Sequence, residues 1–293
     1  MSVLSRLFGA VRQPKVKQVP LRANDSSGAR PIDYKLDWSS VGSGDGVLQF
    51  GDVRVHVCLH EESAGKPSSP TDFVLLKTPG MVEEFVDIAR AIEPKNMFEL
   101  GVFKGGSVVA YNEIFKLRKS VAVDFNPTPA PYLAEYLGRA SAAGKVAVHY
   151  GVDQADRPRL SRICADEFGG EPLDLVIDDA SHFLHETRES FRELFPRLRP
   201  GGLYVIEDWA WAHWSGKHWQ EDRGGDYFKG KEPVSSFVVE LMALCPSRRS
   251  LVAEILVKPA SVYIVRGTEA VAPGFDPAEY WLNRGDALPR FHA

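Results

Sequence analysis

The sequence predicts an α/β protein with a mostly parallel sheet, helices on both of its faces, a C-terminal antiparallel hairpin and an N-terminal extension. Three observations predict it. Short apolar strands alternate with helical segments from residue 96 onward, the pattern of a parallel sheet with helical crossovers. Near the end, strands 251–257 and 261–266 are separated only by Lys258-Pro259-Ala260, too short for a parallel return. Two successive strands end in paired acids, Asp178-Asp179 and Glu207-Asp208, and in open α/β sheets ligands bind beyond such strand ends.

The N-terminal part justifies its separate description. Val3, Leu4, Leu7, Phe8 and Val11 fall at helical spacing and are followed by Arg12, Lys15 and Lys17. That reads as a short N-terminal helix or frayed tail, with a basic amphipathic surface helix as the alternative. Regular structure is expected from residue 47, where strands 47–50 and 53–60 flank the turn Gly51-Asp52. A polar loop (61–71), a short strand (73–76) and a helix (81–92) follow. The expected division is an extension over 1–80, a lid or an oligomer contact, and a catalytic domain over 81–293.

Strands are then predicted at 97–100, 120–123, 146–150, 173–177 and 203–206, with helices between them, one at 107–116 and another at 186–198 closed by Pro200-Gly201-Gly202. A chain of 293 residues is long enough to bury its own core. Its 35 basic against 39 acidic residues, a net charge of −4, argue against nucleic acid as a partner. Cys58, Cys164 and Cys245 are odd in number and form no close pair, which fits a reducing, cytoplasmic compartment. No apolar run reaches the roughly 18 residues of a membrane span.

The turn Glu99-Leu100-Gly101-Val102-Phe103-Lys104-Gly105-Gly106-Ser107 follows a strand and opens a helix, as in a Rossmann-like nucleotide site. Its glycines permit a tight turn and close approach of a ligand. Asp124 ends the next strand, where an acid can accept hydrogen bonds from ribose hydroxyls. An acid ahead of the first glycine suits a cationic amino-acid group better than a pyrophosphate. These features resemble class I S-adenosylmethionine-dependent methyltransferases, although a Gly-x-Gly is missing. The resemblance places the cofactor along Glu99, Gly101, Gly105 and Ser107, its ribose on Asp124 and its adenine near Asp153 and Gln154.

The acidic strand ends carry the chemistry. Adjacent strands would bring Asp178, Asp179, His182, Glu207 and Asp208 together, and clustered carboxylates call for a divalent cation. Asp179, Glu207 and Asp208 are the expected metal ligands, with His182 beside them as general base and Asp178 facing the cofactor. Ile177-Asp178-Asp179-Ala180-Ser181-His182, Ser190-Phe191-Arg192-Glu193-Leu194-Phe195-Pro196 and the segment from Pro200 to Asp208 resemble the macrocin/mycinamicin sugar O-methyltransferases. That resemblance implies Mg²⁺, S-adenosylmethionine and a saccharide or other small-molecule acceptor, and Mn²⁺ could replace Mg²⁺ because both accept oxygen ligands. It also implies a dimer or tetramer.

Beyond Asp208, the sequence holds Trp209, Trp211, Trp214 and Trp219 with little periodic pattern around them. Long loops of this kind are usually functional. Trp209, Trp211 and Trp214 are expected to offer flat faces to the acceptor. The competing expectation is that they anchor the loop. An oxidative enzyme with a facial iron site is an alternative, which needs a second histidine that His185 does not supply at matching spacing. So are a methyltransferase for vicinal diols or catechols and a non-catalytic binding protein.

Overall fold

The computed structural model describes residues 35–37, 46–59, 68–139 and 142–291. The expected N-terminal helix lies outside these residues. Two sheets are present. The smaller has the order β1 (Lys35–Asp37), β2 (Gly46–Phe50), β3 (Val53–Val57) and β4 (Asp72–Leu75), with β1 to β3 antiparallel and β4 parallel to β3. The Gly51-Asp52 hairpin is as expected.

Helix α1 (Pro79–Ala89) follows directly. Thr78 caps it by accepting the backbone N–H of Met81 at 3.2 Å, and Pro79 fills the first turn, where its missing N–H costs nothing. Its apolar stripe, Val82, Phe85, Val86, Ile88 and Ala89, is buried.

The larger sheet contains β5 (Asn96–Leu100), β6 (Lys119–Asp124), β7 (Val146–Tyr150), β8 (Leu173–Asp178), β9 (Leu198–Glu207), β10 (Val252–Val257) and β11 (Ser261–Arg266). Its order is β10-β11-β9-β8-β5-β6-β7. All neighbours from β9 to β7 run parallel, and β11 is antiparallel to both β9 and β10. The order reverses at β5, which lies between β6 and β8, so a crevice opens beyond the carboxyl ends of these strands.

Helices α2 (Gly106–Phe115), α4 (Arg157–Phe168), α5 (Leu184–Leu194) and α8 (Ser235–Ser247) supply the larger crossovers, and α3 (Leu133–Leu137), α6 (Lys217–Gln220) and α7 (Gly225–Phe228) are short. Burial falls into two clusters, one on each side of the large sheet. Side chains alternate faces along a strand, so Met97, Ile177 and Val205 join one cluster while Phe98, Val176 and Tyr204 join the other. None of the described helices is long and apolar enough to cross a membrane.

One boundary differs from the sequence expectation. The helix expected at 186–198 ends as α5 at Leu194, a single 3-10 turn spans Phe195–Arg197, and Pro200-Gly201-Gly202 lies inside β9. The ladder between β8 and β9 shifts register between Leu173 and Leu175, which accommodates a proline and a positive-φ glycine in a strand.

Candidate active site

A cavity of about 600 Å³ lies beyond the ends of β5, β6 and β8. Leu100, Gly101 and Phe103 form one wall, Asp124, Phe125 and Asn126 a second, and Asp153 and Gln154 a third. Asp179, Ala180, Ser181, Phe183 and Tyr227 close the remaining side.

The turn after β5 is held by charge and by close packing. One oxygen of Asp124 accepts the backbone N–H groups of Val102 and Phe103 at 2.8 and 2.9 Å, and the other accepts that of Asn126 at 2.8 Å. Asp124 thus shapes the wall in which it stands. Gly101 has φ +95°, and a Cβ there would sit 2.0 Å from the carbonyl oxygen of Asp179. Gly106 answers a different contact, because its Cβ would lie 2.1 Å from the carbonyl oxygen of Val74 in β4. The second half of the glycine motif therefore lets the small sheet approach α2. Gly105 begins that helix in the left-handed conformation and donates its N–H to Val102.

Glu99 lies behind this wall, 1% exposed. Burial raises its pKa to about 8, reinforced by the charge of Asp179, against a hydrogen bond from Ser107 and the charge of Lys77. Among the described residues nothing hydrogen-bonds its Oε2. Glu99, Gly105 and Ser107 thus support the cavity wall from behind, whereas Gly101, Asp124, Asp153 and Gln154 line the cavity.

Strand parity separates the two acids of β8. Asp178 points to the opposite side of the sheet from Glu99 and Glu207, where it accepts hydrogen bonds from Ser190 at 2.8 Å, Gln154 at 3.1 Å and Tyr204 at 3.3 Å. Burial raises its pKa to about 6, against these hydrogen bonds and the charge of His182. Asp178 is therefore not among the cavity-lining residues, and it fixes Gln154, whose other end accepts the N–H of Ser181 at 2.9 Å. The expectation that Asp178 faces the cofactor is corrected to this supporting role.

Asp179, His182 and Asp208 converge, with one potential ligand atom from each within 4.8 Å of the others. His182 Nε2 is 3.9 Å from Asp179 Oδ1 and 4.0 Å from Asp208 Oδ2. His182 and Asp208 have φ of +59° and +49°. Such left-handed conformations in residues other than glycine cost energy and are held only by surrounding structure, commonly at functional sites.

Glu207 has a partner that the sequence did not single out. Lys77, from just beyond β4, donates to Asp179 Oδ2 at 2.9 Å and is in hydrogen-bond contact with Glu207 Oε2. The lysine and Glu207 side chains are only 5% and 4% exposed. Glu207 thus pairs with an ammonium and falls outside the three-residue cluster. Burial works against the Lys77 cation, but Asp179 and Glu207 outweigh it and raise its pKa well above the usual range. Burial likewise pushes Asp179 up, yet Lys77 and His182 bring it below its ordinary value. Asp208 is raised, chiefly by burial.

The tryptophans divide. Trp209 donates its indole N–H to the Lys258 carbonyl at 2.9 Å, and Trp211 donates to the His182 carbonyl at 2.9 Å. Trp214 packs edge-on against Trp219 with centroids 4.8 Å apart. None of the three expected at the acceptor lines the cavity. The aromatic residues that do include Phe183 and Tyr227, whose rings meet at 4.8 Å, and Tyr227 donates to the Ser181 carbonyl at 3.2 Å. Lys77 and Tyr227 had no signal in the sequence beyond a lysine at a turn and a tyrosine in a charged loop.

Comparison with known proteins finds similarity to methyltransferases over part of the chain. Residues 98–209 match a family model described as a methyltransferase domain. The chain is 46% identical over 84 residues to demethylmacrocin O-methyltransferase of Streptomyces fradiae, covering 29% of this chain and 19% of that protein. It is 53% identical over 70 residues to mycinamicin VI 2''-O-methyltransferase of Micromonospora griseorubida, covering 24% and 17%. The matches thus span about a fifth of each relative's length. A solved structure of MycE methyltransferase in complex with Mg, SAH and mycinamycin VI aligns with a TM-score of 0.47 at 26% identity, over 65% of this chain and 49% of that one. Over residues 98–209 this chain is therefore similar to a methyltransferase domain, and over shorter stretches to the macrocin and mycinamicin O-methyltransferases.

Proposed function

We propose that the protein is a divalent-metal-dependent O-methyltransferase that moves the methyl group of S-adenosylmethionine to a hydroxyl of a sugar or glycosylated metabolite. The observation that carries this reading is the meeting of Asp179, His182 and Asp208, of which Asp179 also lines the cavity that holds Asp124 and Gln154. The residues fit both groups. A cavity of about 600 Å³ is within the range of small-molecule sites, and the unpartnered Glu99 Oε2 is an acceptor near the Gly101 turn. The carboxylates of Asp179 and Asp208 are oxygen donors suited to Mg²⁺ or Mn²⁺ with further positions open, and His182 stands beside them.

When bound, the metal supplies Lewis acidity that makes the acceptor hydroxyl easier to deprotonate. Asp179 and Asp208 would hold it. His182 Nε2 stands beside both carboxylates and is the atom assigned to take the hydroxyl proton. Asp124 holds the Val102 and Phe103 backbone in the shape of the cavity wall, and Phe183 and Tyr227 form an aromatic part of its lining. The donor set argues against the iron-oxygenase reading, because that triad takes two histidines and His185 is exposed and outside the cluster. The relatives' names favour a glycosylated macrolide over a catechol as the first acceptor to try.

The test is calorimetric titration of S-adenosylhomocysteine, followed by a Mg²⁺-supplemented methyl-transfer assay on macrolides carrying deoxysugars. Saturable binding and EDTA-sensitive transfer are expected. No binding up to millimolar concentration would overturn the proposal.

A further inference from the structure

The segment that follows β9 returns to the cavity at α7, where two adjacent aromatic residues do different work. Phe228 is the anchor: it packs on Trp211 with centroids 4.4 Å apart and meets Trp219 at 5.5 Å and Phe183 at 5.9 Å. Just ahead of it, Arg223, Gly224 and Gly225 all hold left-handed backbone, with φ of +52°, +72° and +70°. A Cβ on Gly224 would lie 2.9 Å from that of Phe228, so this bend closes the loop onto its own anchor. Tyr227 lines the cavity and is 56% exposed, yet it is fixed. Its hydroxyl donates to the Ser181 carbonyl at 3.2 Å, its ring lies 4.8 Å from that of Phe183 with planes 36° apart, and Phe228 meets it edge-on at 4.9 Å. Gln154 accepts the N–H of the same Ser181 at 2.9 Å, so the tyrosine stands beside the Gln154 wall.

An aromatic face that is held in place before any ligand arrives loses little conformational freedom on binding one. We propose that Tyr227 is a cofactor-binding residue whose open ring face packs on the adenine of S-adenosylmethionine. This rests on the methyltransferase reading above. The nucleobase is the cofactor's one aromatic group, and two rings in offset contact attract each other without any charge on either. The hydroxyl is already engaged by Ser181, which leaves the ring rather than the polar tip to meet the ligand. Through Phe228 and Trp211, the same segment that holds the His182 carbonyl then also holds a wall of the cofactor cavity.

The experiment is calorimetric titration of S-adenosylhomocysteine, and of methylthioadenosine, which keeps the base and lacks the amino-acid tail. Both are titrated into the wild-type protein and its variants, with circular dichroism as the check on folding. Tyr227→Ala is expected to weaken both ligands by the same factor, at least about fivefold, as the loss of one base–aromatic contact does. Tyr227→Phe keeps the ring and is expected to bind both within about threefold of wild type. Where Tyr227→Ala does not fold, Tyr227→Leu, which keeps bulk but not a flat face, takes its place with the same expectation. Methylthioadenosine binding that is unchanged in Tyr227→Ala would overturn the proposal, whether or not S-adenosylhomocysteine binds more weakly. A loss in Tyr227→Phe as large as in Tyr227→Ala would also overturn it, because the hydroxyl would then carry the effect. If the wild-type protein binds neither ligand, the methyltransferase reading falls and this assignment with it; wild-type binding that Tyr227→Ala leaves intact removes Tyr227 alone.

Discussion

Trp211 donates its indole N–H to the backbone carbonyl of His182 across 2.9 Å, so the segment after β9 grips the residue assigned as the base. Trp211 is itself 5% exposed and packs on Phe228 with centroids 4.4 Å apart. His182 occupies a left-handed conformation that an unrestrained histidine would leave. Trp211→Phe keeps the ring and removes the bond, which is worth about 1 kcal/mol. The expected result is a fall in kcat of up to about tenfold with cofactor affinity unchanged, measured by steady-state kinetics and calorimetry. An unaltered kcat would show that the grip is dispensable.

His182→Ala should separate binding from chemistry. Loss of a general base typically costs about 10²- to 10⁴-fold. The variant is expected to lose that much methyl transfer while binding S-adenosylhomocysteine as the wild type does, since His182 is not among the residues lining the cavity. Near-normal turnover would remove His182 from the role.

Gly101→Ala should destabilise the fold. At φ +95° the new Cβ meets the Asp179 carbonyl oxygen at 2.0 Å. Left-handed backbone costs roughly 1–2 kcal/mol and overpacking roughly 1–3 kcal/mol more. Thermal unfolding should therefore show Tm lowered by about 5 °C or more. A Tm within 1 °C of wild type would mean that β5 and β8 separate easily at this point.

Asp72 gives the small sheet a pH dependence. Partial burial alone would raise its carboxyl, but hydrogen bonds from His56, Ser69, Arg54 and Thr71 outweigh it and hold the pKa well below the usual range. A depressed native pKa stabilises the fold above the unfolded value of about 4, and that stability is lost as pH falls through the native one. Asp72→Asn is expected to lower stability at pH 7 by on the order of 1 kcal/mol. The gap from wild type should narrow progressively below about pH 4. Denaturant melts at several pH values measure it, and a gap that stays constant on acidification would refute the assignment.

Much of the large sheet was legible because its strands are short apolar runs between strong turn signals, and β7 and β11 fall at the predicted residues. The convergence of Asp179, His182 and Asp208 was legible for the same reason: residues at the ends of neighbouring parallel strands must meet. The separation of Asp178 from Asp179 was open to a parity argument, since alternate residues on a strand face opposite sides. Pro200-Gly201-Gly202 misled because a proline and two glycines stop a helix and also fit a bulged strand. The tryptophans were ambiguous in the sequence because an indole carries both a flat face and a donor, and the donors of Trp209 and Trp211 go to backbone carbonyls.

By itself, then, the sequence determined what local periodicity and strand order can encode: the alternation of strands and helices, the C-terminal hairpin, and the acids and imidazole at the strand ends. Only the tertiary structure decided which cation those acids meet first. Lys77 reaches Glu207 because β4 packs against α2 at a glycine, a contact between distant segments that no local pattern records. Burial then makes that contact matter, since a carboxylate removed from water must find a partner where the fold provides one.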